Sequence, residues 1–420
     1  MNRPLPTFRS HLTLGFCTLL HAFTHAYASM LVPLYLMMAR DLKLKGVSSA
    51  SFIVTLYGAM YCFGSYFAGE LADRFDRRVL LGIGLLGNAA AIVGIGLSRD
   101  YWVIVALAVA GGAFGSVFHP AANSLAPAHY PKSPGMAIGI LGAGSGMGFF
   151  LGPQFSGMRA RAATWHFMNV ASWQKPCIEL GIAGLILGLI FLPLGFDPRI
   201  SQAGKSHRPI DPATRRQIVH VAIALMFRDF CATAVISLAA IYLLRVFHAD
   251  VQSAGLAVGL MMLPSVLANP VFVYFTGGRR RLPGLAIILI TGGCVVVTTP
   301  MWSAAMTLPV LCVFQTMQMG SYAVSDAAML ERVDPEIRGR VVGLFLLIAG
   351  TFGALGPWVM GAWTDWLGPR ATIQSSYYGP FGLLAAFMLI AAISSRFLGR
   401  LGEAKTEVSA LEEIAPVTLG

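Results

Sequence analysis

The sequence predicts an all-α integral membrane protein in which twelve transmembrane helices form two pseudo-symmetric six-helix bundles. Three observations support this fold class. Of the 420 residues, 56% are hydrophobic and 12% are charged, whereas soluble domains have about 45–50% and about 25%. Twelve apolar runs are long enough to cross a bilayer. The two halves of the chain also resemble each other in sequence.

The predicted spans follow from run length, because a transmembrane helix needs about 20 mainly apolar residues. They cover residues 12–39, 50–71, 79–98, 102–126, 135–157, 176–195, 216–244, 252–276, 283–303, 308–330, 340–366 and 378–399. The first run follows two arginines as a signal peptide does, but it continues to about residue 39, so we expect an uncleaved span. The polar stretch between the sixth and seventh spans predicts the domain organisation. The chain is predicted to comprise an N-terminal bundle at 1–195, a linker at 196–215, a C-terminal bundle at 216–400 and a tail at 401–420.

The distribution of basic residues predicts the orientation in the membrane. With the N-terminus inside, twenty Lys and Arg residues fall on the inner side and nine on the outer side, and Arg228 lies within a span. Cytoplasmic loops carry the excess of Lys and Arg. We therefore expect a multi-pass protein of the bacterial inner (plasma) membrane with both termini, the linker and the tail in the cytoplasm. The net charge of +11 is then loop charge and indicates no nucleic-acid partner.

Several other functional classes lack support in the sequence. The six cysteines include no C-x-x-C pair, so neither a disulfide framework nor a zinc site is expected. No Walker A motif, H-E-x-x-H or G-x-S-x-G occurs, so the sequence predicts no ATP-driven step, no enzyme site and no cofactor.

An internal repeat supports the division into two halves. A shift of 204 residues superposes Gly152-Pro153 on Gly356-Pro357 and aligns six further positions, most of them Gly or Pro. Gly and Pro also recur in membrane helices for packing reasons, so convergence is the alternative explanation. Two similar six-helix halves around a central site are typical of secondary transporters.

The loop after the second span contains the clearest motif. Its residues Gly69, Leu71, Asp73, Arg74, Arg77 and Arg78 resemble the loop 2–3 signature of the major facilitator superfamily. Asp76 stands where that signature has glycine, which puts the turn geometry in question. The resemblance implies the superfamily fold and alternating access, with the loop acting as a gating latch. The charged segment 331–340, with Glu336 and Arg338, is its expected partner in the other half.

The fifth span carries Gly148, Gly152, Pro153 and Gly157. This spacing resembles the span-5 signature of exporters in the superfamily, although the terminal glycine pair is reduced to one residue. Small residues permit close helix approach, and proline permits a bend. Gly356 and Pro357 are the equivalent residues in the repeat, where we expect the same effects. Tight packing alone is the alternative interpretation of this motif.

Histidines at membrane depth are candidates for substrate contact or proton coupling, because buried ionisable groups need partners. His21 and His25 share a face of the first span, and the fourth span holds His119 and Asn123. The pattern resembles that of fosmidomycin-resistance-type exporters, which implies that these spans line the central cavity. His25 and Ala121 replace the Asp and Glu of that pattern, so coupling here would use imidazole, whose ordinary pKa is about 6.5. A polar group satisfied by a neighbouring helix is the alternative, and no metal is expected because no acidic or thiol ligand joins the three.

The second half offers its own polar candidates. The seventh span contains Arg228 and Asp229, adjacent charges that project about 100° apart on a helix. Anion binding by the arginine and proton handling by the aspartate are one interpretation, and a structural pairing with other helices is the second. The tenth span presents Gln315, Gln318 and Tyr322 on one face, with Asp326 a turn beyond.

These observations predict a secondary active transporter. We expect proton-coupled efflux, by antiport and alternating access, of a small amphipathic or anionic compound or drug. The expected partners are this substrate, protons and the lipid bilayer, and the chain is expected to be monomeric. The alternatives are an uptake symporter or uniporter for an organic acid or other metabolite, and, from another class, a membrane sensor or enzyme without net transport.

Overall fold

The computed structural model describes residues 6–161, 170–198, 210–333 and 337–401, with side chains at all these positions except 265–270. The described chain is helical throughout and contains no β-strand. The helices of the first half are α1 (Phe8–Ser29), α2 (Tyr35–Asp41), α3 (Val47–Arg74), α4 (Arg77–Leu97), α5 (Tyr101–Gly115), α6 (Phe118–His129), α7 (Pro134–Arg161) and α8 (Gln174–Leu194). Those of the second half are α9 (Pro212–Val246), α10 (Val251–Leu260), α11 (Leu263–Phe275), α12 (Arg281–Val297), α13 (Ala304–Glu331), α14 (Arg338–Phe345), α15 (Thr351–Gly353), α16 (Gly356–Leu367) and α17 (Tyr378–Ser394).

The described residues contain ten helical segments that are long and apolar enough to cross a membrane. They coincide with ten of the twelve predicted spans. The predicted span 252–276 is instead two helices, α10 and α11, because the helix breaks at Met261 and Met262 and restarts with Pro264 in its first turn. The predicted span 308–330 is the 28-residue helix α13, which is long enough to cross but more polar. The all-α membrane fold is therefore confirmed, with the helices at the predicted places.

Aspartate side chains cap four of the helices that follow loops. Asp76 accepts hydrogen bonds from the backbone N–H of Arg78 at 2.8 Å and of Val79 at 3.4 Å, and so begins α4. Asp100, Asp211 and Asp250 cap α5, α9 and α10 in the same way. An N-cap carboxylate satisfies free N–H groups and faces the positive end of the helix dipole. Asp76, which replaces the glycine of the family signature, therefore has a structural role in the turn.

The predicted linker is shorter in the structure than in the sequence analysis. Phe196 and Asp197 pack on the first bundle, and α9 begins at Pro212, so only the middle of 196–215 remains between the halves. Residues 199–209 of this linker and 402–420 of the predicted tail lie outside the described residues. The proposed domain boundaries otherwise remain a prediction.

The two halves contact each other most closely on one side of the membrane. We call the side of Phe8, Arg77 and Leu398 the proximal side, and the side of residues 42–46 the distal side. On the distal side, a methyl group added to Gly157 of α7 would lie 2.5 Å from the carbonyl oxygen of Val251 at the start of α10.

The distal contact between α3 and α16 is equally close. Both carboxylate oxygens of Asp365 accept hydrogen bonds, one from the N–H of Val47 and one from that of Ser48, each at 2.8 Å. Toward the proximal side, by contrast, Gly135, Gly139 and Gly142 of α7 have no neighbouring atom within 4 Å of an added methyl group. The structure is thus closed on the distal side.

Candidate functional site

The first and fourth predicted spans bring three histidines together. His25 Nε2 lies 3.0 Å from His21 Nε2, and the ring of His119 lies 5.1 Å from that of His21 and 5.6 Å from that of His25. His21 is buried, while His25 and His119 are partly accessible. We call these residues the histidine cluster. Their proximity is as expected, because His21 and His25 lie one helical turn apart and α6 packs against α1.

A hydrogen bond to α7 fixes the orientation of His21. Its Nδ1 lies 2.7 Å from the carbonyl oxygen of Leu141. Because a carbonyl only accepts, Nδ1 carries the proton and Nε2 of a neutral His21 carries a lone pair. The Nε2–H of His25 then donates to that lone pair.

Glycines make this hydrogen bond possible. A methyl group at Gly148 would overlap the backbone of Ala22, and one at Gly152 would lie 2.7 Å from the carbonyl oxygen of Ala26. The motif of the fifth span therefore lets α7 approach α1, while Gly157 faces α10 of the other bundle. Helix α7 continues through Pro153, whereas in the repeat a new helix begins at Gly356. A helix boundary is thus present at this motif only in the second half, where Pro357 occupies the first turn, and the predicted bend stays a prediction.

Aromatic side chains surround the histidine cluster. The ring of Phe118 stacks on His21 with 4.6 Å between centroids, and that of Phe149 lies 4.4 Å from His25. Tyr61 of α3 meets His119 edge-on at 5.9 Å, and its buried hydroxyl has no hydrogen-bond partner among the described residues. The sequence analysis missed Tyr61 because it lies in a uniformly apolar span. Asn123, one turn beyond His119, is exposed.

The candidates of the second half form another cluster around Arg228. This side chain is fully buried, and its Nε and Nη2 both donate to Asp229 Oδ1, at 2.8 and 2.6 Å. Its Nη1 donates to the hydroxyl of Ser325, and the ring of Tyr322 lies 3.8 Å beneath the guanidinium carbon. We call Arg228, Asp229, Gln318, Tyr322 and Asp326 the arginine cluster.

The pairing within this cluster corrects one expectation. Arg228 and Asp229 were expected to point apart, yet they bind each other, because the long arginine side chain bends back to its neighbour. Gln318 donates from Nε2 to the carbonyl oxygen of Arg228 at 2.8 Å. Gln315 donates from Nε2 to the sulfur of Met262 at 3.0 Å, at the break between α10 and α11. Both glutamines are buried in these contacts, and their predicted role in lining a cavity stays a prediction.

Two oxygen atoms in this region, Oε1 of Gln315 and Oε1 of Gln318, are buried without a partner among the described residues. Asp326 is exposed and close enough to Arg228 to interact with its charge. The cluster thus combines a buried ion pair with one accessible carboxylate. Ionisable groups at this depth are expensive in a membrane and are typically functional.

The two clusters lie on opposite sides of the contact between α3 and the eleventh predicted span. A methyl group on Gly350 would lie 2.7 Å from the sulfur of Cys62, the neighbour of Tyr61. A methyl group on Gly353 would lie 2.9 Å from the backbone carbonyl of Asp229. A continuous path of packed residues therefore runs from the histidine cluster to the arginine cluster.

The predicted latch residues have a different arrangement in this conformation. Arg77 is fully buried and pairs with Asp197, with 2.8 Å from Nε to Oδ2, and its Nη1 donates to the carbonyl oxygen of Ser124 at 2.7 Å. Arg77 is thus bound within the first bundle, which corrects its expected place in a contact between the bundles. The sequence analysis missed Asp197 because it lies 120 residues from Arg77.

The other latch residues lie near the surface. Arg74 pairs with Glu70 and Arg78 pairs with Asp76, while Gly69 has open space around it. Asp73 and Arg338 are exposed, and Glu336 lies outside the described residues. The latch therefore remains a prediction for the other conformation. The repeat has a counterpart of Arg77 in the buried Arg281, 204 residues later, which pairs with Glu331.

Comparisons with known proteins identify the family of the chain. A sequence profile of the Major Facilitator Superfamily matches residues 14–228 and again 221–418. The chain is 33% identical over 146 residues to multidrug resistance protein MdtG of Dickeya zeae, which is 33% of this chain and 35% of that protein. It is 36% identical over 95 residues to MdtG of Proteus mirabilis, which is 22% of this chain and 23% of that protein. The matches thus span at most about a third of these relatives.

Solved structures share the fold over nearly the whole chain. A bacterial homologue of the human lysosomal transporter Spinster, in an inward-facing and occupied conformation, gives a TM-score of 0.76 at 16% identity, covering 96% of this chain and 98% of that one. The D323A mutant of the nucleoside transporter NupG gives 0.72 at 15% identity, covering 92% and 99%. These identities support the fold alone. With both halves matched by the family profile, the chain belongs to the Major Facilitator Superfamily and is a multi-pass membrane transporter, not an enzyme.

Proposed function

We propose that the protein exports a small amphipathic compound in exchange for protons across the bacterial inner membrane, with its proximal side in the cytoplasm. The observation that carries the proposal is the arginine cluster, a buried ion pair beside an accessible carboxylate. The excess of basic residues on the proximal side supports the orientation. The multidrug-resistance relatives support export, and the predicted monomer is consistent with one site between two bundles.

Antiport requires that proton and substrate compete, because each must weaken the binding of the other. Asp326 meets this condition, since an ionised carboxylate can accept from a donor group of the substrate and protonation removes its charge. Asp229 already accepts two hydrogen bonds from Arg228 through one oxygen, so its carboxylate is paired within the protein. We therefore assign the exchangeable proton to Asp326 and a charge-balancing role to Asp229.

The histidine cluster supplies the opposite wall of the proposed substrate site. Its imidazoles and the rings of Phe118, Phe149 and Tyr61 offer aromatic surface with few charges. Such surfaces bind apolar and aromatic groups by stacking. We assign His25, His119 and Asn123 to substrate contact.

Alternating access then requires the distal contacts to separate. The crossings of α7 with α10 and of α3 with α16 would open, and the charged loops on the proximal side would close. Asp73, Arg74, Arg338 and Glu336 are the groups we assign to that closure. Opposite charges on facing loops favour this closure. In the present conformation, water on the open proximal side screens the charges from one another.

A second candidate function follows from the Arg228–Asp229 pair. Protonation of Asp229 would free the guanidinium of Arg228 to bind an anion, so that proton and anion would bind together. That linkage gives symport of an organic acid. The two functions differ in whether protons and substrate move in opposite directions or in the same direction.

The test uses everted membrane vesicles, acidified inside by respiration, with a fluorescent pH probe. A panel of amphipathic aromatic compounds and fosmidomycin is added. We expect proton release from the vesicles on addition of a transported compound, and its loss in Asp326→Asn at unchanged expression. Asp100→Asn, an exposed cap far from the cluster, is the matched control. Compound-dependent release that persists in Asp326→Asn would contradict the assignment of the proton.

A further inference from the structure

The histidine cluster has a geometry that its function as an apolar wall does not require. The Nε2 atoms of His21 and His25 are 3.0 Å apart. The possible ligand nitrogens of all three histidines lie within 4.8 Å of one another. Two imidazole nitrogens on one tetrahedral zinc ion are about 3.3 Å apart, since each Zn–N bond is about 2.0–2.1 Å. Bringing the three nitrogens to this spacing therefore needs a shift of at most about 1.5 Å.

The hydrogen bond of His21 to α7 is the second observation. In metal sites, the ligating histidine donates its other ring N–H to a carbonyl or carboxylate, which orients the ring and fixes the tautomer. His21 has this arrangement, with Nδ1 bound to the carbonyl oxygen of Leu141 at 2.7 Å. Its Nε2 consequently carries the lone pair, which an ion would take in place of the hydrogen bond from His25.

The surroundings define the kind of ion that fits. The three ligands are neutral nitrogens, which suit zinc, cobalt, nickel and copper and not the oxygen-seeking magnesium or calcium. Phe118 and Phe149 form an apolar shell around two of the rings. The buried hydroxyl of Tyr61, without a partner among the described residues, lies beside His119 and is available to a water on the ion.

We propose that His21, His25 and His119 bind a divalent transition-metal ion of the zinc class, through one nitrogen of each imidazole. All three ligands belong to the first bundle, on α1 and α6, so the ion joins two helices without bridging the bundles. It lies in the wall of the proposed substrate site, and its binding does not depend on the direction of transport or on proton coupling.

The test titrates Co²⁺ into the purified full chain in detergent, prepared without a polyhistidine tag. We expect one ion per chain and visible absorption bands of nitrogen-ligated tetrahedral cobalt, without the intense bands of sulfur ligation. His119→Gln and His25→Gln should each weaken binding at least about tenfold, because even loss of a residue that only hydrogen-bonds to a ligand costs about 10–100-fold. Zn²⁺ should displace the cobalt.

The matched control is His248→Gln, because His248 is exposed on the loop that precedes α10. Its cobalt affinity and spectrum should equal those of the unsubstituted chain. Gel filtration confirms that each variant is folded. If His119→Gln and His25→Gln both bind cobalt as tightly as the unsubstituted chain, or if the spectrum shows sulfur ligation, the proposal is overturned.

Discussion

At the scale of single residues, Arg77 and Asp197 form a buried ion pair that we expect to stabilise the first bundle. The guanidinium has no exposed surface and also binds the carbonyl of Ser124. Removing one partner of a buried ion pair leaves an uncompensated charge and costs about 3–5 kcal/mol. We therefore expect Asp197→Ala to lower the thermal stability of the purified protein strongly.

The control for this prediction is Glu70→Ala, which removes the exposed partner of Arg74. Exposed pairs contribute about 0–1 kcal/mol, so its unfolding temperature should hardly change. Equal stability of the two variants in a thermal unfolding experiment would mean that the Arg77–Asp197 pair does not hold the proximal end of the first bundle together.

The sequence predicted residue-level features where spacing along one helix or a family motif carried them. His21 and His25 share a face because they are four residues apart, and the resemblance placed His119 near them. The partners of Arg77 could not be predicted, because a contact over 120 residues leaves no local pattern. The repeat offered one indirect signal, since Arg77 and Arg281 are equivalent by the same 204-residue shift and both are buried.

At the scale of helices, small residues decide which helices approach each other. Gly148 lies against the backbone of Ala22, whereas Gly142 has no neighbour within 4 Å of an added methyl group. Gly148→Ala should force α7 away from α1 and cost about 1–3 kcal/mol. It should also lengthen the hydrogen bond from His21 to Leu141.

The matched substitution Gly142→Ala adds the same methyl group in open space. Alanine is the better helix former by about 0.8–1.0 kcal/mol, so this variant should be as stable as the original or more so. Thermal unfolding of both proteins measures the difference. The packing explanation fails if Gly148→Ala is no less stable than Gly142→Ala.

Hydropathy predicted the positions of the ten long apolar segments and of α13, but not the break that divides the predicted span 252–276 into α10 and α11. A run of apolar residues has the same mean hydropathy whether its helix is continuous or broken. The break at Met261–Met262 was therefore not apparent from the sequence. Pro264 was the only local signal. Conversely, Pro153 lies within an unbroken helix, which shows that proline alone does not decide where a membrane helix ends.

At the scale of the whole molecule, the distal closure determines the conformation. Asp365 accepts two backbone hydrogen bonds across the interface between α3 and α16. Hydrogen bonds to a charged group contribute about 1.5–3 kcal/mol each. Asp365→Ala should therefore shift the population toward distal opening.

The measurement is the labelling rate of Ser51→Cys by a membrane-impermeant maleimide applied on the distal side, in a chain otherwise without cysteine. Ser51 is buried against Gly361 in this closure. Asp365→Ala should raise the rate at least about tenfold, since 1.4 kcal/mol is a factor of ten. Asp100→Ala, another distal carboxylate that caps a helix within its own bundle, should leave the rate unchanged. A rate that does not respond to Asp365→Ala would show that other contacts keep the distal side closed.

The sequence could not predict which side is closed, because the same residues form both conformations of an alternating-access transporter. It did predict two similar halves, each with polar candidate residues in its spans. What the structure adds is the surroundings of these residues, with aromatic rings around the histidines of the first bundle and a buried ion pair in the second. This difference between the bundles is the basis for the proposed competition between proton and substrate at Asp326.

The most direct measurement of this competition uses the purified protein in liposomes that contain a pH probe. An imposed pH gradient is the only energy source, and compound and proton fluxes are recorded together. We predict that the compound moves against the direction of proton flow, and that Asp326→Asn abolishes the coupled movement. Compound and protons moving in the same direction, or compound flux that ignores the pH gradient, would contradict proton-coupled efflux.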